Sequence, residues 1–275
     1  MTAKISVKEK ETKKKLRKQK KRTMRPVTPS KGVEVRYRKD LLKVLNKARK
    51  KAEVKIIKLL KRYEADYIAD DYSEKIVKGL EKMLREGELA DAAAEKIAKK
   101  AVNKADADQR RKLTQNIKAA IGVDASVIIN NANIKPQINK ALHENAELIK
   151  TIPSQHLQKI EKMVMQEAFK GSSAKSMIEQ IREIGAVSER RARVIARDQT
   201  SKINGALNEA RQKQLEIEEY IWRAQIDGRE RKSHREKDGK VFRWDSPPAD
   251  TGHPSEDINC RCTAIPVIPK SWGLT

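Results

Sequence analysis

The sequence predicts a mainly α-helical protein that ends in a small α+β module. Most of the chain is rich in Lys, Glu and Ala, with apolar residues at spacings of three and four, the signature of amphipathic helices. With 36% charged and only 4% aromatic residues, it suits long helices with solvated faces better than one large core. The pattern changes between Tyr220 and Val267. Both cysteines, two of the four histidines and two of the three tryptophans fall there, among turn residues and short alternating runs. An elongated helical region is therefore expected to present or anchor a compact C-terminal module. The expected divisions are a disordered basic tail over residues 1–30, a helical region over 31–186, and a C-terminal domain over 187–275.

Between Lys4 and Arg25 stand twelve Lys or Arg against Glu9 and Glu11. The densest part holds Lys13, Lys14, Lys15, Arg17, Lys18, Lys20, Lys21 and Arg22. Such a segment has too little apolar content to fold alone. As a polycation it suits phosphate backbones, with salt-dependent binding and no base-reading motif. The plain alternative is a solubility tail. The net charge of +24 points the same way as the first reading, towards nucleic acid or another polyanion, although helix-face lysines account for much of it. No apolar run is long enough to span a bilayer. No apolar segment follows the charged start, so no secretory signal is expected. Two cysteines one residue apart form no disulfide framework, and synthesis in a cytosol is the default.

A first helix is expected over 35–63, with Leu41, Leu45, Ala48, Ala52, Ile56, Leu59 and Tyr63 on one face. A second is expected over 65–85, closed by Gly87. Its acids Asp70, Asp71 and Glu74 have no second cluster to complete a metal site and read as a solvated face. Further helices are expected over 88–101 and 110–121, the latter closed by Gly122. Residues 123–134 are ambiguous, and their Asn residues and Pro136 favour a helix followed by a turn. A helix over 137–150 precedes another that starts at Pro153, with Thr151 or Ser154 as caps. A short helix capped by Ser172 or Ser173 is expected to end at Gly185, and Ser188 to cap a long final helix. That helix carries a polar line, Arg197, Ser201, Asn204, Asn208 and Arg211, suited to hydrogen-bonding the loops of the following module.

In the module, 219–226 alternates like a strand, and Asp238-Gly239 is a hairpin-type turn before a strand over 240–244. Residues 233–237 form a short helix or loop, prolines shape 247–254, and a closing strand spans 263–267. Trp222, Phe242 and Trp244 supply a small core. So few strands are stable only when packed on something, and the long helix is the available support.

In order, Trp222, Asp227, Arg229, Arg231, Ser233, His234, Asp238, Gly239, Phe242, Pro247, Pro248, His253, Asn259, Cys260, Arg261 and Cys262 carry a family resemblance. They resemble the C-terminal domain of phage minor head proteins typified by the F protein of phage Mu, the phage head morphogenesis family. Arg197, Thr200, Asn204 and Arg211 are similar to that family's preceding helix. The likeness covers about the last 85 residues; the first 150 carry no family motif. The resemblance implies a structural, non-enzymatic protein of a tailed-phage virion, present in few copies at the portal vertex. It implies the portal, capsid or scaffold proteins and DNA as partners, and procapsid assembly, packaging or DNA delivery as the process. It implies no cofactor and no membrane.

The module's residue types also admit chemistry. His234, His253, Cys260 and Cys262 are the right donors for tetrahedral zinc, which would help so small a module stay folded. A disulfide between the two cysteines would be strained. In the alternative, the histidines are hydrogen-bonded loop residues, the cysteines small buried fillers, and Asp227, Arg229 and Arg231 lock the loop by ion pairing. A metal-dependent nuclease using His234 and Asp238 is the enzymatic alternative, but no second catalytic set follows.

Overall fold

The computed structural model describes residues 22–65, 78–79, 81–82, 91–170 and 172–272. Its main elements are α1 (Lys31–Ala65), α2 (Asp91–Ile121), α3 (Ser126–Asn130), α4 (Lys135–Phe169), α5 (Ala174–Gln214), β1 (Glu219–Arg223), α6 (Lys232–Arg235), β2 (Val241–Arg243) and β3 (Thr263–Pro266). The protein is mainly α with a small C-terminal α+β module. The expected second helix and the acids Asp70, Asp71 and Glu74 lie largely or wholly outside the described residues.

Helices α1, α2, α4 and α5 pack on one another. Their shared core includes Tyr37, Leu41, Leu45, Ala98, Ile149 and Ile195, all buried. A second cluster joins Ile56 and Leu60 of α1 to Ile160 and Val164 of α4 and Met177 and Ile181 of α5. Leu60 rather than Leu59 is buried, because the stripe continues at four-residue steps from Ile56.

Several expected helix ends are absent. Residues 102–109 are helical, so α2 is a single helix of 31 residues. That stretch holds neither Gly nor Pro, and packing buries its Val102 and Ala105. Helix α4 likewise runs for 35 residues through Pro153. Proline removes one backbone donor, and packing on the neighbouring helices carries α4 past that loss. Thr151 Oγ1 donates to the Leu148 carbonyl at 2.7 Å, and Ser154 Oγ bonds those of Lys150 and Thr151 at 3.3 Å. The two residues expected as caps thus serve the helix interior.

Ser173 does cap α5, accepting the Ser176 amide at 3.3 Å. The helix then continues for 41 residues, about 60 Å at helical rise, through both Gly185 and Ser188. Gly185 has a packing role. A Cβ there would lie 3.1–3.3 Å from the Arg49 side chain, whose guanidinium bonds Glu189 and Glu53. Ser188 is buried against His156 rather than capping a new helix. The division expected at residues 186 and 187 falls inside this helix. Glu216, at φ +56°, ends the helix in a Schellman turn: Ile217 N–H reaches the Gln212 carbonyl and Glu216 N–H that of Lys213.

The three strands form an antiparallel sheet in the order β2-β1-β3. Tyr220 faces Phe242 on one side and Pro266 on the other, and Trp222 faces Ala264. The alternation of β1 buries Tyr220 and Trp222 completely and leaves Arg223 exposed. Trp244, Phe242, Cys260, Cys262 and Ala264 complete this core.

Residues 22–30, expected to belong to the disordered tail, are packed instead. Thr23 bridges Val267 beyond β3, Met24 N–H donates to the Pro266 carbonyl, and Ile268 N–H donates to that of Arg22. Met24 and Val27 are buried with Leu113, Ile117, Leu215 and Ile217. Two apolar side chains and an open strand edge hold this segment despite the charges before it.

Candidate functional site

The polar line of α5 is the seam between the bundle and the module. Arg197 donates to Asn259 Oδ1 at 3.0 Å. Ser201 Oγ donates to the Cys260 carbonyl at 2.9 Å and meets Ser255 Oγ at 3.2 Å. Asn204 donates to the Val27 carbonyl at 2.9 Å, fastening the N-terminal segment. Asn208 Oδ1 accepts from Gln212, whose own oxygen accepts the Trp244 indole N–H at 3.0 Å. Arg211 turns the other way, to Asp106 and Gln109 of α2. Asp198, which was not singled out, accepts the Asn259 amide at 2.5 Å.

Gly205 lets the loop sit on the helix at this seam. A Cβ there would come within 2.9 Å of Ser255 Cβ and 3.1 Å of the Pro254 carbonyl oxygen. Ser255 itself holds φ +80°, so the loop has little freedom to retreat. Overpacking of this kind costs about 1–3 kcal/mol. Alanine recovers about 1 kcal/mol of helix propensity over glycine. Gly205→Ala is therefore expected to lower stability, read as a reduced urea midpoint; an unchanged or higher midpoint would show that the loop yields.

The motif residues converge at a corner between α6 and the 257–262 segment. His234 Nδ1 lies 3.3 Å from Cys262 Sγ and 3.6 Å from Cys260 Sγ. All three residues are buried. On the far side of the ring, Nε2 faces the Asp257 carboxylate at 2.8 Å. Ser255 N–H points at Cys260 Sγ from 3.3 Å. Hydrogen bonding with the neighbouring Cys262 thiol pulls the Cys260 thiol down to about 6, with help from the Ser255 amide. The same partnership and burial push Cys262 up. A cleft of about 190 Å³ opens beside the three side chains, lined by Arg229, Arg231 and Arg261 among others.

His253, the fourth expected metal donor, does not join them. Its Nδ1 meets the Tyr220 hydroxyl at 2.9 Å, and its ring packs against Trp244 and Tyr220. Glu209 and Glu256 are its titratable neighbours. The proline-shaped loop carries it to the aromatic core, where a hydrogen-bonded histidine satisfies the buried phenol.

The rest of the motif fixes the corner's backbone. Asp227 pairs with Arg261, which holds its carboxyl down at about 2. Asp227 Oδ1 also accepts the Arg229 amide at 3.2 Å. Arg231 donates to the Ile258 carbonyl at 2.9 Å and lies 3.6 Å from Asp257. Asp238 accepts the Ala224 amide at 2.7 Å, and Gly239 takes φ +74° in the turn into β2. His234 and Asp238 form no nuclease pair: Asp257, not Asp238, accompanies the histidine. Lys13, Lys14, Lys15, Arg17, Lys18, Lys20 and Lys21 lie outside the described residues; Arg22 is the first residue within them.

The longest helix of the bundle carries this module, and residues of the motif join the two. Residues 158–265 match the family described as Phage Mu protein F like protein, and this part of the chain belongs to that family. The match begins on α4, well before the module, and so takes in the supporting helix as well. The chain is also similar to an uncharacterized protein of Haemophilus influenzae strain Rd, 38% identical over 256 residues. The alignment covers 91% of this chain and 56% of that protein, so the chain spans about half the length of the curated relative it matches. No solved structure matches the chain. Among the described residues, no helix is long and apolar enough to cross a membrane.

Proposed function

We propose that this protein is a structural minor head protein of a tailed phage, associated with the portal vertex and supporting procapsid assembly, DNA packaging or DNA delivery. The observation that carries the reading is the Phage Mu F-like match over 158–265, within which Asn259 and Cys260 tie the module to α5. The motif's charged groups are engaged with backbone and with one another, as in a rigid docking unit. The portal and the capsid or scaffold proteins are its partners, and the virion is its place.

DNA is contacted non-specifically through the basic run ending at Arg22. That run joins the fold where residues 22–24 meet the edge beyond β3, so a polycation there would reach phosphates without disturbing the bundle. Deleting residues 1–21 removes seven cations between Lys13 and Lys21. If all seven meet phosphates, the slope of log affinity against log salt flattens by about 6 on duplex DNA. The thermal midpoint is expected to stay unchanged, because the deletion stops before the packed segment. Identical DNA binding at every salt concentration would remove DNA from the partners.

The direct test is quantitative mass spectrometry of purified virions and procapsids. A few copies per particle, tracking the portal protein, support the reading. Absence from both particles overturns it.

A further inference from the structure

We propose that His234 Nδ1, Cys260 Sγ and Cys262 Sγ bind one zinc ion, with solvent in the fourth position towards the adjoining cleft. The three donor atoms lie within 4.8 Å of one another and belong to buried side chains. Zinc bonds of about 2.0–2.1 Å to nitrogen and 2.3 Å to sulfur at a tetrahedral angle put N and S about 3.6 Å apart. The observed separations are 3.3 and 3.6 Å. A modest adjustment of the thiols suffices to admit the ion.

The surroundings are also those of a metal site. The Asp257 carboxylate at Nε2 selects the tautomer that carries its proton on Nε2, which leaves the Nδ1 lone pair facing the sulfurs. A carboxylate behind a ligating imidazole also raises its basicity. The Ser255 amide N–H points at Cys260 Sγ from 3.3 Å and favours negative charge there. The Trp222 indole N–H is buried and has no hydrogen-bond partner among the described residues. The fourth side stays open because His253 is committed to Tyr220 and the cleft is lined by all three donors.

Binding displaces the thiol protons to solvent, so affinity rises with pH. The ion's work is structural. It ties the four-residue helix α6 to the 260–262 segment, which is itself bonded to α5 through Ser201. The sheet has only three short strands and its core leans on this corner, so the module gains a fixed point that its apolar area alone does not provide.

The test uses the full chain expressed with zinc in the medium, with metal content measured by plasma mass spectrometry. The same chain, stripped by chelator, is then titrated with cobalt(II). One metal per chain is expected, with thiolate-to-cobalt charge-transfer absorption and tetrahedral ligand-field bands. His253→Ala should retain full stoichiometry, while His234→Ala, Cys260→Ser and Cys262→Ser should lose it. Because those three variants also alter buried side chains of the module, Asp257→Asn provides a milder probe, expected to weaken metal affinity about 10–100-fold with the fold retained. A wild-type chain that takes up neither zinc nor cobalt overturns the site. So does a Cys260–Cys262 disulfide in protein purified without oxidant, or a cobalt spectrum that survives His234→Ala unchanged.

Discussion

Replacing Asp106 with alanine is expected to destabilise the protein by about 3–5 kcal/mol, the cost of stripping a buried charge of its counter-ion. Arg211 is among the largest fully buried side chains, at 2% exposure. Its Nη2 meets Asp106 at 2.5 Å and its Nη1 meets Gln109, while Nε has no partner among the described residues. Burial pulls the guanidinium's pKa down and the hydrogen bond to Asp106 pushes it back. An arginine does not escape by losing its proton. Without Asp106 the cation would be left with one neutral amide and with Arg110, a like charge, nearby. A loss of this size is a large fraction of the 5–15 kcal/mol typical of a folded protein. Urea unfolding of Asp106→Ala reads it directly. The double variant Asp106→Ala/Arg211→Met should recover most of the loss, because an apolar replacement of the whole pair leaves no buried charge. A single-variant loss below about 1 kcal/mol, or no recovery in the double variant, would sink the argument.

That pair matters beyond its energy because of its position. Gln212 follows Arg211 and holds the Trp244 indole, so the same turn of α5 grips α2 on one face and the module on the other. The sequence showed this helix face as a polar line, and Arg197 and Ser201 do bond the module's loops as expected. It could not show that Arg211 turns to α2, 105 residues away in sequence, because no local signal encodes such a partner. The strands were legible for a local reason: Tyr220 and Trp222 alternate with half-buried or exposed neighbours, and Asp238-Gly239 supplies a positive φ where the chain must turn. Helix ends were the weakest part. Pro153, Gly185 and Ser188 carry ordinary stop or start signals, yet packing on neighbouring helices overrides each one.

The candidate metal site was legible as residue types and only partly as geometry. His234, Cys260 and Cys262 converge, whereas His253 is taken by Tyr220. Tyr220 is legible as a strand residue, but its bond to His253, 33 residues away, has no local signal. Asp257 stands three residues before Cys260, the one signal that could have marked it as a carboxylate close to the thiols. Its meeting with His234 depends on α6 folding back over that segment, which spacing alone does not specify.

Between pH 6.5 and pH 4 the folded protein is expected to lose about 3 kcal/mol of stability through His156 alone. Its side chain is buried at 1% exposure, with Nδ1 3.0 Å from Ser188 Oγ and Nε2 without a partner among the described residues. Burial, reinforced by the positive charges of Arg49 and Lys159, pushes its pKa from 6.5 down to about 4. The unfolded chain therefore binds a proton across this window that the folded chain refuses. Stability from this source is fully present above pH 6.5 and drains away as pH falls towards 4. The carboxylates held near 2 by ion pairs and hydrogen bonds, Asp227, Glu167 and Glu230, act lower, below about pH 4.5, and so do not mimic the effect. Loss of metal from the Cys–His corner would overlap it, so wild type and His156→Gln are compared with chelator present. The glutamine variant keeps a polar partner for Ser188 and cannot take up the proton. Its stability curve should be flatter than wild type between pH 6.5 and 4.5. Parallel curves would mean that His156 is protonated in the folded state and that the α4–α5 interface tolerates the charge.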